Sequence, residues 1–125
     1  MNIKTIAMVF GVVLLGIGVL GFVPALVPGG NLLGIFQVNA LHNIIHILSG
    51  AAALAAGLSS VDYSKLYFKA FGVVYGLVTI LGFLTGDGLI AGLLPVNMAD
   101  NLLHVVIAGS ALYLGFMAKP MKAKA

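Results

Sequence analysis

Four apolar runs, each about as long as a bilayer core is thick, dominate this 125-residue chain. Crossing a hydrocarbon core as a helix takes about 20 apolar residues. The runs reach from Thr5 to Val27, from Asn39 to Leu58, from Leu66 to Thr85 and from Asn97 to Ala118. A soluble domain carries roughly a quarter charged residues, because it needs a wet surface. Here 62% of residues are hydrophobic and 7% charged, six Lys and three Asp in all, so the surplus apolar surface must meet lipid. The first run is too long for the h-region of a signal peptide, which holds about 7–15 residues, and is read as a retained helix.

The lysines set the topology. Lys4 precedes the first run, Lys65 and Lys69 lie at the link into the third, and Lys119, Lys122 and Lys124 follow the fourth. The 28–38 and 86–96 connections contain none, and the chain has no Arg. By the positive-inside rule both termini and the central link are cytoplasmic, in a multi-pass protein of the cell (plasma) membrane. The net charge of +3 therefore has a topological cause. No stretch interleaves Lys with aromatics as a nucleic-acid surface does, so nucleic acid is excluded as a partner. Without cysteine, neither disulfides nor thiolate metal sites can form.

An internal repeat sets the architecture. Phe10-Gly11-Val12-Val13 returns 61 residues on as Phe71-Gly72-Val73-Val74, and Leu20-Gly21-Phe22 returns at the same offset as Leu81-Gly82-Phe83. Val38-Asn39 matches Val96-Asn97, and Asn43-Ile44-Ile45-His46 matches Asn101-Leu102-Leu103-His104, now at an offset of 58. Each unit holds two helices, an even number, so both copies insert the same way up, related by a pseudo-two-fold axis along the membrane normal. The expected fold is all-α: one integral membrane domain over 1–125, a four-transmembrane-helix bundle of two parallel tandem hairpins, about 5–58 and 65–118. Gly72 and Gly76 form a GxxxG pair, and Ala51, Ala52, Ala55, Ala56 and Gly57 line the second helix, as close packing in lipid favours.

Most of the intramembrane polarity falls in the first two turns of helices 2 and 4. Helix 2 carries Asn39, His42, Asn43 and His46; helix 4 carries Asn97, Asp100, Asn101 and His104. Spacings of three and four put each set on one helical face. The pairs His42/His46 and Asp100/His104 occupy equivalent positions in the two units. With Asn39 and Asn97 as caps, His46 and His104 lie about 10 Å deeper. Polar groups at that depth belong in the bundle interior.

Three readings compete. In the first, the protein is a structural or accessory membrane component. Asn39 and Asn97 are then N-caps, Asp100 favours the positive helix end, and the deeper Asn and His join helices as hydrogen-bonding glue. In the second, His42, His46, Asp100 and His104 bind a divalent metal, or His46 and His104 are axial ligands of a haem or pigment, with Asn43 and Asn101 in support. In the third, the His/Asp group relays protons or passes a small solute; the absence of Arg and Lys at depth counts against a conventional transporter. With no Ser-His-Asp set or paired carboxylates, hydrolytic catalysis is not expected. With so little chain outside lipid, a homo-oligomer or a place in a membrane complex is expected.

The motifs VNALHNIIH and ADNLLH, as they stand at 38–46 and 99–104, resemble those of small four-helix bacterial and archaeal membrane proteins classed as a domain of unknown function. The resemblance covers nearly the whole chain. His42, Asn43, His46, Asp100, Asn101 and His104 match the pattern, which implies four helices and a membrane address without choosing among the readings.

Overall fold

The computed structural model describes residues 2–85, 89–90 and 94–118, and within them four helices are long and apolar enough to cross a membrane. Helix α1 (Ile3–Leu20) begins where the Asn2 side chain accepts the Thr5 N–H at 2.9 Å. It stops short of the expected Val27. Pro24 and Pro28 lack amide hydrogens, and the chain makes two 3-10 turns there, Pro24–Leu26 and Pro28–Gly30. Next, β1 (Asn31–Leu32) pairs antiparallel with β2 (Phe36–Gln37), Asn31 opposite Gln37. Two-residue strands are too short to show alternation, so this hairpin left no sequence signal.

Helix α2 (Ala40–Ser59) is capped by Asn39, whose side chain accepts the His42 N–H at 2.8 Å. Only Ser60 separates it from α3 (Val61–Thr85), which therefore starts five residues ahead of the expected Leu66. The Ser60 hydroxyl accepts the Tyr63 N–H at 2.9 Å and starts the helix early, so Lys65 and Lys69 ride on α3 itself. A second short hairpin, β3 (Leu89–Ile90) with β4 (Leu94–Pro95), leads to α4 (Met98–Leu112), which continues as a π-turn through Met117. The described lysines gather at one end of the bundle: a Cβ on Gly57 would lie 2.7 Å from the Lys4 carbonyl, and one on Gly115 2.6 Å from the Lys69 amide. Lys119, Lys122 and Lys124, and residues 86–88 and 91–93 of the connection between α3 and α4, lie outside the described residues.

The bundle is built inside out relative to a soluble protein. Val12, Val13, Leu48, Val74, Leu77, Val106 and Phe116 are exposed, whereas His42, Asn43, His46, Ser64, Thr79, Asp100, Asn101 and His104 are buried. Such a surface requires a lipid bilayer around it. Inside, Ala7, Leu14, Phe68, Phe71, Tyr75, Ala108 and Ala111 form the core, with Phe10 edge-on to Phe68 and Phe71.

Helices α1 and α2 meet along a glycine seam. A Cβ on Gly11 would sit 2.6 Å from the Gly50 carbonyl, one on Gly50 2.6 Å from the Leu15 amide, and one on Gly18 2.7 Å from the Asn43 carbonyl. Small residues allow this approach, and dispersion supplies the attraction in lipid. The seam runs through Gly50 and Gly57, while Ala52, Ala55 and Ala56 instead line an open hollow with Tyr63, Leu66, Tyr67 and Ala70. Of the GxxxG pair, a Cβ on Gly72 would lie 2.9 Å from Leu112, whereas one on Gly76 would meet Leu112 only loosely, at 4.0 Å.

Candidate functional site

At the end of the bundle opposite the described lysines, five polar side chains do structural work. Asn43 Nδ2 donates to the Gly21 carbonyl at 2.8 Å, tying α2 to the end of α1. Asn101 Nδ2 donates to the Gly82 carbonyl at 3.3 Å, tying α4 to α3. Asn97 and Asp100 form a capping box: the Asn97 side chain accepts the Asp100 N–H at 2.9 Å, and Asp100 Oδ2 accepts the Asn97 N–H at 3.0 Å. Asn97 Nδ2 also donates to the Ile35 carbonyl at 2.8 Å, pinning the first hairpin to the start of α4. The Asn39 cap completes the five, and the Ser60 cap plays the same part at the other end of the bundle.

The histidines are a different matter. His42 and His46 stand one turn apart on α2, with ring centroids 4.6 Å apart, and His104 of α4 faces them at 5.8 Å from His42. They are 3–4% exposed. Each offers one ring nitrogen such that the three atoms lie within 4.8 Å of one another. The Nδ1 of His42 and both nitrogens of His46 and His104, five buried atoms, have no hydrogen-bond partner among the described residues. A buried polar atom left unpaired costs about 1–3 kcal/mol. Five would together rival the whole stability of a small domain, about 5–15 kcal/mol. Hydrogen-bonding glue would not be built so.

Asp100, expected as a fourth member, stands outside this group. Its Oδ2 also accepts the Gln37 N–H at 3.0 Å, and His42 hydrogen-bonds the backbone of the same Gln37. The Gln37 peptide thus stands between carboxylate and imidazole and orients His42, whose buried Nδ1 is left without a partner among the described residues. Gln37 escaped the sequence reading because it acts through its backbone, which leaves no residue-type signal.

A cavity of about 160 Å³ adjoins two of the rings, His42 and His104. Ile45, Phe71, Val74, Val78 and Val96 wall it, with Ser49 and Tyr75 as its other polar members. Tyr75 is buried edge-on to His104 at 5.4 Å. Tyr67 is likewise turned inward and donates to the Ser49 carbonyl at 3.1 Å.

The three nitrogens suit one metal ion. Donors bound at about 2.0–2.1 Å in trigonal or tetrahedral geometry lie about 3.3–3.6 Å apart, so ring movements of about 1 Å would close the set.

Fold and site together define a class: a four-helix, multi-pass membrane protein with a buried group of three imidazoles in one half of its bundle. Within that class, the chain belongs to the family described as a domain of unknown function (DUF4383), whose model matches residues 4–117. Comparison with curated proteins and with solved structures gives no match.

Proposed function

We propose that this protein holds a transition-metal ion between α2 and α4, with His42, His46 and His104 as its ligands. The observation that carries the reading is the five buried, unpartnered imidazole nitrogens converging from two helices. Imidazole is a good ligand for Zn, Cu, Fe and Ni, and the hydrogen bond from His42 to the Gln37 backbone is the orienting contact that ligating histidines typically make. A structural or accessory role accounts for Asn39, Asn43, Asn97, Asp100 and Asn101, all of which serve backbone groups, but leaves the three histidines unexplained. A haem or pigment fits less well, because a cavity of about 160 Å³ falls below the roughly 300 Å³ at which pockets for drug-sized ligands begin. The mostly aliphatic and aromatic walls of that cavity speak against a polar solute path.

The lysine distribution supports a plasma-membrane orientation with cytoplasmic termini, which sets the histidines in the outward half of the bilayer. With so little chain outside the lipid, the centre would act within a homo-oligomer or a larger membrane complex.

The test is metal analysis with an absorption spectrum on the full chain purified in lipid nanodiscs. About one ion per chain is expected, without a porphyrin or chlorin band. The His46→Ala/His104→Ala double variant should insert and keep its helical circular dichroism but lose the metal. A parent that retains no metal after incubation with Cu(I), Zn(II) or Co(II), or a double variant that retains it fully, overturns the reading.

A further inference from the structure

Resting on that reading, we propose that the three-histidine centre selects a monovalent soft cation, copper(I), over divalent ions such as zinc. The argument is one of charge and surroundings. Neutral imidazoles bring donor electrons but no negative charge. Among the described residues the acids are Asp62 and Asp100. Asp62 lies in the first turn of α3, at the opposite end of the bundle. Asp100 stands one turn before His104, outside the ligand group, with its Oδ2 engaged by the Asn97 and Gln37 amides. It supplies at most one negative charge. A monocation can be matched in full by that carboxylate, whereas a dication leaves at least one charge uncompensated by the described residues.

The surroundings decide how much this matters. The work of moving an ion out of water rises with the square of its charge, so a dication carries about four times the burden of a monocation of similar size. Zinc sites in proteins commonly meet that burden with thiolates or a carboxylate, or with a hydroxide in an open position. This chain has no cysteine. The space beside His42 and His104 is walled mainly by Ile45, Phe71, Val74, Val78 and Val96, with only the neutral Ser49 and Tyr75 side chains as further polar members and no cation in its described lining to hold an incoming anion. Three imidazoles without a strong further ligand also suit the low coordination numbers that a filled d shell of single positive charge accepts. Silver(I), with the same charge and shell and no accessible second oxidation state, should therefore behave as copper(I) does.

Full-length protein in nanodiscs, loaded with copper(I) under reducing, anaerobic conditions, is challenged separately with silver(I) and with zinc(II), and retained metals are counted after desalting. About one copper per chain is expected, displaced by stoichiometric silver(I) but not by a hundredfold excess of zinc(II). X-ray absorption should show nitrogen neighbours and no sulfur shell, which separates the histidines from methionine thioethers. The Asp100→Asn variant, which keeps an acceptor oxygen for the cap while removing the charge, should bind copper(I) about tenfold more weakly and should not lose it. Zinc(II) retained at one per chain, or displacing copper(I) at comparable concentration, overturns the selectivity and leaves the three-histidine site standing. Copper(I) held through sulfur, or held undiminished by the His46→Ala/His104→Ala variant, overturns it as well. If neither copper(I) nor zinc(II) is retained, the metal-binding reading itself falls and this inference with it.

Discussion

Asn43 and Asn101 each spend a side-chain amide on the carbonyl of a glycine at the end of the preceding helix, Gly21 and Gly82. Those carbonyls are among the last of their helices, and in lipid no solvent would satisfy them. Asn43→Ala and Asn101→Ala should each lower stability by about 1–2 kcal/mol, read as thermal unfolding in nanodiscs. Equal stability of both variants and parent would show that these bonds are not made. The glycines differ sharply by position. Gly11→Ala or Gly50→Ala drives a methyl into opposing backbone and should cost about 1–3 kcal/mol. Gly16 and Gly109 have nothing within 4 Å of a new Cβ, so alanine there should be neutral or stabilising by up to about 1 kcal/mol. At Gly21 an added Cβ would collide with the Asn43 carboxamide, removing the bond and the close approach in one change.

Among the elements, α4 depends most on its start. The Asn97 side chain both caps the helix and holds the Ile35 carbonyl of the first hairpin. Asn97→Ala should therefore cost more than the roughly 1 kcal/mol of a lost cap and should also loosen the Gln37 amide that bonds Asp100. Hydrogen exchange would report this as faster exchange at Gln37 and Asp100 together; a change confined to α4 would mean that cap and hairpin act separately. The turn of the first hairpin holds Leu33 at φ 56°, a conformation that costs a residue with a side chain about 1–2 kcal/mol, while Gly34 follows at φ 75°. Leu33 is well exposed, so Leu33→Gly should raise the melting temperature without disturbing the core.

For the molecule as a whole, the lysines lead us to expect one orientation and the seams a repeat. Ile35→Cys should react with a membrane-impermeant thiol reagent in intact cells, and Asp62→Cys should not; the reverse pattern would turn the protein over. Asn43, Gly50 and Gly57 are buried seven residues apart on α2, and Asn101, Ala108 and Gly115 are buried at the same spacing on the last helix. On the preceding helices Gly11 and Gly18 are buried, as are Gly72 and Thr79. These correspondences keep the offsets of 58 and 61 read from the sequence. We expect α1–α2 to superpose on α3–α4 by rotation about an axis near the membrane normal, His46 landing on His104. An experimental structure in lipid that needs another register, or an inversion, would rule this out.

Much of this protein is determined before the chain folds. Run length and scarcity of charge dictate four apolar helices, because backbone groups in lipid must bond within their own segment and only a span of about 20 residues reaches across. The i, i+4 spacing of His42 and His46 puts both on one face of α2 whatever surrounds it. Helix boundaries were less legible, since Pro24 ends α1 early and Ser60 starts α3 early within stretches of nearly uniform hydropathy. Which groups converge was decided only by tertiary structure. Asp100 and His104 are also four apart, and sequence spacing treats them alike. The hairpin carrying Gln37 folds over the start of α4 and presents an amide to Asp100, while His104, a turn deeper, meets no backbone donor or acceptor and turns to the two histidines of α2. A helix has no spare amides beyond its first turn, so depth along α4 separates the capping carboxylate from the imidazole that reaches the centre.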